Sequence, residues 1–274
     1  MIVMGKRIGT GLILGAIVLV CIFVYPFSHP LLLIGLLCVA AIISILELSH
    51  AFKSRDIYTP VAPLIVISCS MIVSAYYPGE MVEMVIFIVG GSILFFYSSL
   101  NAKVTNRHSG FMSGIFILTY IPLMLSFYIM ISELYQGSFK LVLVILASVT
   151  SDIGGLLFGS IFGKHRMTPN ISPNKTWEGL GGSLLLSTVS TVIFGYFAFN
   201  EYFYSGKTWI LIILPIIITL VGTFGDLIES TIKRECNMKD MGDFLPGHGG
   251  ILDRLDALII IAPFSYFFMA MLMG

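Results

Sequence analysis

Residues 208–273 read TWILIILPIIITLVGTFGDLIESTIKRECNMKDMGDFLPGHGGILDRLDALIIIAPFSYFFMAMLM, and this stretch decides the fold. It opens with an apolar run, 208–226, and closes with another, 251–273. A helix rises about 1.5 Å per residue, so roughly 20 apolar residues cross a hydrocarbon core of about 30 Å. Helix is the form such runs take, because backbone groups in hydrocarbon can be satisfied only within their own segment. Between the runs the chemistry changes. The 31 residues from Asp226 to Asp256 hold seven of the fifteen acids and four of the fifteen bases. Carboxylates at the ends of membrane helices are costly unless they face water, ions or partners, which makes them functional candidates.

Outward from that stretch the apolar pattern recurs along the chain. Of 274 residues, 57% are apolar and 11% charged, with a mean hydropathy of +0.97. Soluble domains carry about 25% charged residues. The shortfall excludes disorder, a secreted disulfide scaffold and an ordinary cytosolic domain. Charge-poor spans fall at 8–26, 31–48, 61–77, 81–100, 111–132, 139–162, 178–199, 208–226 and 251–273. They predict an all-α integral membrane protein with about nine transmembrane helices. The first span follows Lys6-Arg7 with no small-x-small cleavage site before Pro26, so it reads as a retained anchor. Pro60, Pro63, Gly154 and Gly155 interrupt the third and sixth.

With the N-terminus inside, 13 of the 15 Lys and Arg fall in inner segments, and only Lys140 and Lys207 in outer ones. That is the bias expected of short loops, and it predicts a cytoplasmic N-terminus in the cell's inner membrane. The formal net charge of zero argues against a nucleic-acid partner. Cys21, Cys38 and Cys69 lie in separate spans and Cys236 in a polar segment, which leaves no disulfide framework and no CxxC metal pair. Residues 1–145 read as a multispan region of short loops, in which Glu47, His50, Glu80, Glu83 and Glu133 are solvated or interfacial side chains near span ends. Residues 146–274 carry the polar chemistry, within a single membrane-embedded unit.

Helical spacing sharpens the site. Asp226, Glu229, Ser230 and Lys233 recur at i, i+3, i+4 and i+7, and Asp253 and Asp256 at i, i+3. Pro246-Gly247-His248-Gly249-Gly250 between them cannot continue a helix. If the two helices pack side by side, Asp226 and Asp253 converge beside this loop, at the cytoplasmic helix ends. Carboxylates gathered without Cys or a His pair suit a hard cation, Mg²⁺ first. His248, in the glycine loop, is a candidate for phosphate contact or acid/base work. Glu229, Glu235 and Asp243 divide evenly between the site and simple ion pairs.

A second polar stretch covers 150–179. After Pro169 and Pro173, the residues Ser172, Asn174, Lys175 and Thr176 form a rigid loop entering a helix, and a basic side chain beside a helix N-terminus makes an anion site. Gly159 to Lys164 suggests a phosphate loop but is one residue short and lacks the Ser/Thr that would hold magnesium. Lys164, His165 and Arg166 read instead as membrane-edge anchors.

From Ser230 to Asp256 the chain follows S-x-I-K-R-x4-K-D-x-G-x2-L-P-G-H-G-G-I-x-D-R-L-D. This resembles the signature of the CDP-diacylglycerol synthases, the phosphatidate cytidylyltransferases. Gly225-Asp226-Leu227 and the run Ile171 to Gly179, ISPNKTWEG, look like the same family, whereas Ile153 stands where Thr or Ser is expected. The resemblance covers 150–260 closely; 1–145 agrees only in being multispan and hydrophobic. It implies Mg-dependent transfer of a cytidylyl group from CTP to phosphatidate in phospholipid biosynthesis. On that reading Asp226 and Asp253 hold Mg²⁺, with Asp256 as a ligand or close neighbour. Lys175, Lys233, Arg234 and Lys239 neutralise phosphates, Asp240 and His248 order the loop, and Ser172, Asn174 and Arg254 complete the substrate contacts. The catalytic set would be Asp226, Lys233, His248 and Asp253. Partners are then CTP, phosphatidate and membrane lipid, and the resemblance also carries an expectation of a homodimer. Two other readings remain open at this point: a related cytidylyltransferase acting on another phosphorylated lipid, and a cation-coupled transporter whose carboxylates bind the transported ion.

Overall fold

The computed structural model describes residues 15–23, 31–77, 80–100, 107–199, 201–202, 205–242, 244 and 249–273. Its elements are α1 (Leu31–Lys53), α2 (Val61–Ser74), α3 (Glu80–Leu100), α4 (Arg107–Leu118), α5 (Met124–Ser132), α6 (Gly137–Phe162), β1 (Arg166–Thr168), β2 (Ser172–Thr176), α7 (Trp177–Ala198), α8 (Trp209–Glu235) and α9 (Leu252–Leu272). Residues 15–23 are also helical. Among the described residues, the architecture is all-α apart from one antiparallel hairpin, β1 with β2.

Among the described residues, seven helices are long and apolar enough to cross a membrane. Their apolar side chains point outward as well as inward, with Val66, Leu100, Leu156 and Met271 all exposed. Water would not tolerate so much bare hydrocarbon, but lipid does. The chain is a multi-pass membrane protein. The expected third span is α2, whose 14 residues reach only about 21 Å, short of the hydrocarbon core. Most of the expected first span lies outside the described residues. The expected eighth span proves longer than its apolar run: α8 stays helical through the charged residues to Glu235.

Between α4 and α5 the helix takes a π turn at Thr119–Leu123 around Pro122. Proline has no N–H for the bond to the carbonyl four residues back, and its ring crowds that carbonyl; one extra residue in the turn relieves both.

The chain packs as two compact units, 1–133 with 233–255, and 134–232 with 256–274. It passes from one unit to the other inside α8 and inside α9. This division of packing differs from the 1–145 and 146–274 division of polar chemistry, because 233–255 joins the first unit.

In the first unit, α1 buries Leu37, Ala41, Ile45 and Leu48, spaced by three and four so that they share one face. Two of its acids depart from expectation. Glu47 and Glu83 are buried rather than solvated or interfacial, and Glu83 on α3 accepts a hydrogen bond from Ser126 Oγ on α5.

In the second unit, α6 and α7 pack backbone to backbone. Gly154 and Gly155, expected to interrupt a helix, sit inside a continuous one. They are where α7 comes close: a Cβ on Gly154 would overlap the Gly182 carbonyl, and one on Gly155 would lie 2.7 Å from Ser183 Oγ. Small residues permit this approach, and hydroxyl groups exploit it. Ser183 Oγ donates to Ser151 O at 2.7 Å, Ser187 Oγ to Ala147 O at 2.9 Å, and Thr150 and Ser190 hydroxyls meet at 2.8 Å. Lys140, expected in an outer segment, lies within α6 and is buried, its Nζ donating to Met273 O at 2.5 Å.

Candidate active site

Each unit holds a polar cluster of its own. In the second unit, a cleft of about 620 Å³ runs between α6, the β hairpin, α7 and α8, within the usual range for a small-molecule site. Its polar lining includes Asp152, Ser172, Asn174, Lys175, Thr223 and Asp226. The hairpin pairs Arg166 with Thr176 and Thr168 with Ser172, so β2 delivers Lys175 at the entry to α7. Thr176 then caps that helix, its Oγ1 accepting from Gly179 N at 3.1 Å.

Lys175 Nζ donates to Asp226 Oδ2 at 2.6 Å and to Thr223 O at 3.2 Å, with about three-quarters of each paired side chain out of solvent. Asp226 is brought to α9 by Gly225, whose absent Cβ would lie 2.8 Å from Asp256 O and 3.2 Å from Ala257 Cα. A close crossing there places Asp256 within electrostatic reach of Asp226, Glu229 and Asp152. Glu229 is fully buried, so it is not a surface charge.

In the first unit, Asp253 is the hub. Its Oδ1 accepts from Lys233 Nζ at 3.0 Å, and its Oδ2 accepts from Met241 N at 2.9 Å and Gly250 N at 2.8 Å. Gly249, at φ +81°, turns the chain close over Asp253 and Asp240, where a side chain would be strained as well as crowded. Arg234, Lys239, Asp240 and Arg254 are exposed around this cluster. His248 and Asp243 lie outside the described residues.

Three participants were not picked out by sequence reading. Asp152 enters the cleft lining. Glu178, in the first turn of α7, accepts from the Lys164 and His165 amides at 3.1 and 3.2 Å and pairs with His165 Nδ1 at 2.6 Å. Its position in the first turn after the Thr176 cap was the available signal, since acids are favoured there. His165 is therefore tied to α7 rather than only to a membrane edge. The third is Glu47, whose Oε1 and Oε2 accept from Ile251 N at 2.9 Å and Leu252 N at 2.8 Å.

Among the described residues, no three His, Cys, Asp or Glu side chains group closely enough to hold a metal ion by themselves. Mg²⁺ does not need such a cage: it keeps several waters and binds through one or two carboxylates plus substrate phosphates. Oxygen donors such as Asp226 and Asp256 suit it in that manner, and suit Zn²⁺ poorly.

Fold and site together define a multi-pass membrane protein whose charged cleft is suited to a phosphate-bearing substrate. The chain belongs to the cytidylyltransferase family, which it matches over residues 5–272. It is 32% identical to a phosphatidate cytidylyltransferase of Mycobacterium bovis over 271 residues, 93% of this chain and 86% of that protein. A phosphatidate cytidylyltransferase of Mycobacterium tuberculosis is also 32% identical, across 93% of this chain and 80% of its own length. One from Haemophilus influenzae is 39% identical over 135 residues, 49% of this chain and 47% of that protein.

Proposed function

We propose that this protein transfers a cytidylyl group from CTP to phosphatidate, releasing pyrophosphate and leaving CDP-diacylglycerol in the membrane. A phosphatidate oxygen bonds to the α-phosphorus of CTP as the bond from that phosphorus to the bridging β-phosphate oxygen breaks. The observation that carries the reading is the Lys175–Asp226 pair at the cleft, beside Ser172 and Asn174, in a chain of cytidylyltransferase family.

The nucleophile is already anionic, so a strong base is not the need. The barrier lies in bringing two polyanions together and in charge building on the leaving pyrophosphate. Lys175 answers the first: its ammonium is held 2.6 Å from Asp226 and can exchange that partner for a phosphate oxygen. Lys233, Arg234, Lys239 and Arg254 supply further positive charge, with Asp240 and His248 ordering the glycine loop. Asp226, Asp253 and Asp256 are the carboxylates proposed for Mg²⁺, which when bound neutralises phosphate oxygens as a Lewis acid.

The proposed setting is the cell's inner membrane, with about nine spans, the short α2 crossing where the bilayer thins around it, a cytoplasmic N-terminus and the site at cytoplasmic helix ends. The distribution of 13 of 15 bases supports it. CTP then arrives from the cytosol while the diacyl substrate presents its headgroup at the bilayer surface. No nucleic acid is a proposed partner, and the family resemblance alone supplies the expectation of a homodimer. Incubation of purified protein in detergent with labelled CTP, phosphatidate and Mg²⁺ should transfer label into lipid. Folded protein that moves a cation across sealed vesicles, yet leaves the lipid unlabelled, would defeat the proposal in favour of a transporter.

A further inference from the structure

We infer that Glu47 is a positioning residue for the reaction: from α1 it fixes the start of α9, and thereby the orientation of Asp253. The geometry is specific. The two carboxylate oxygens accept from successive amides, Ile251 N at 2.9 Å and Leu252 N at 2.8 Å. Those N–H groups belong to the residue before α9 and to its first residue, where no intrahelical acceptor exists and negative charge is favoured. A carboxylate this well buried, at 8% exposure, is costly without such partners.

The loop is built around it. A Cβ on Gly242 would lie 2.6 Å from Glu47 Oε1, and one on Gly250 would lie 2.5 Å from Oε2, so both glycines leave room that the carboxylate fills. Ser54 Oγ, at the end of α1, donates to Cys236 O at 3.3 Å and ties the other end of the same segment. Gly250 is shared: its amide serves Asp253 while its Cα borders Glu47. Movement of Glu47 therefore moves the amide that holds Asp253 Oδ2. Glu47 contacts no reacting atom and acts through Asp253.

The inference rests on the reading of Asp253 as a Mg²⁺ carboxylate, so the test first requires Mg²⁺-dependent turnover of the wild-type protein; its absence would overturn that reading and this inference with it. Given turnover, Glu47→Gln keeps the shape and one acceptor, while Glu47→Ala keeps neither. Misplaced supporting groups around a metal cost about 10- to 100-fold in affinity or activity. Glu47→Ala is expected to lower kcat by about that factor and to weaken Mg²⁺ binding, read by calorimetry on the protein without substrate, by a similar factor, with the KM for phosphatidate unchanged and Glu47→Gln between it and wild type.

Gly250→Ala should impair turnover when Glu47 is present and add little to Glu47→Ala, because the clash is with the carboxylate itself. The inference is overturned if Glu47→Gln and Glu47→Ala both match wild type in kcat and Mg²⁺ dependence. It is equally overturned if Gly250→Ala costs the same factor with or without Glu47. If Glu47→Ala does not fold, the isosteric Glu47→Gln carries the test alone, through kcat and Mg²⁺ dependence.

Discussion

Adding one methyl group at Gly154 tests how the cleft wall is held. A Cβ there would overlap the Gly182 carbonyl oxygen and lie 2.8 Å from its carbon and 3.0 Å from Ser183 Cα. All three are backbone atoms of a helix, so none can rotate away. Restoring contact near 3.5 Å needs α6 and α7 to part by roughly 1 Å. That separation stretches the Ser183–Ser151, Ser187–Ala147 and Thr150–Ser190 hydrogen bonds, now 2.7 to 2.9 Å. Such bonds average about 0.6 kcal/mol each and reach about 1.7 within membrane proteins, so their loss with the packing between them costs about 2–3 kcal/mol. A destabilisation of that size lowers an unfolding midpoint by about 5–10 °C.

Gly181→Ala is the matched control, since a Cβ there meets nothing within 4 Å. It should be neutral or stabilising by up to about 1 kcal/mol, through helix propensity alone. Thermal unfolding of both variants in the same detergent gives the comparison, with initial rates below the midpoint reporting on the cleft. Equal midpoints for Gly154→Ala and wild type would show that the helices do not approach as described. So would an equal drop for both variants.

Further outcomes follow from the charged clusters. Asp253→Asn should abolish CTP-dependent lipid labelling in folded protein; near-normal turnover would sink its assignment to the metal. Lys175→Met should raise the KM for CTP at least tenfold while leaving the protein folded, and an unchanged KM would remove Lys175 from phosphate binding. Chelation should stop turnover, with Mg²⁺ restoring it and Zn²⁺ not; recovery with Zn²⁺ alone would contradict the all-oxygen donor set. A cysteine at 248 should be labelled from the cytoplasm and one at Ser205 from outside, and the reverse pattern would refute the proposed orientation.

What could be seen in the sequence was what recurs locally. The spacing of Asp226, Glu229 and Lys233 announced a helix, and α8 runs through all three to Glu235. The length of α2 was not legible, because its apolar run continues past Ser74 while its helix does not. Gly154 and Gly155 were legible only as breaks, since what they admit is another helix more than twenty residues away. Lys175 was noticed for its loop, but its partner Asp226 lies 51 residues on. Glu47 was invisible for the same reason in the extreme. An acid near a span end reads as solvated until the amides it serves are known, and those lie 204 and 205 residues later.

That separation has a consequence for how the protein is made. Ribosomes deliver about 5–20 residues per second, so the 204 residues between Glu47 and Ile251 take about 10–40 s to synthesise. Throughout that interval α1 already exists and its carboxylate lacks the two amides that will receive it. The nascent first unit must keep Glu47 protonated, wet or chaperoned until the loop arrives and α9 begins. Docking of that loop onto α1 is then a late assembly step, one that a truncated product can never reach.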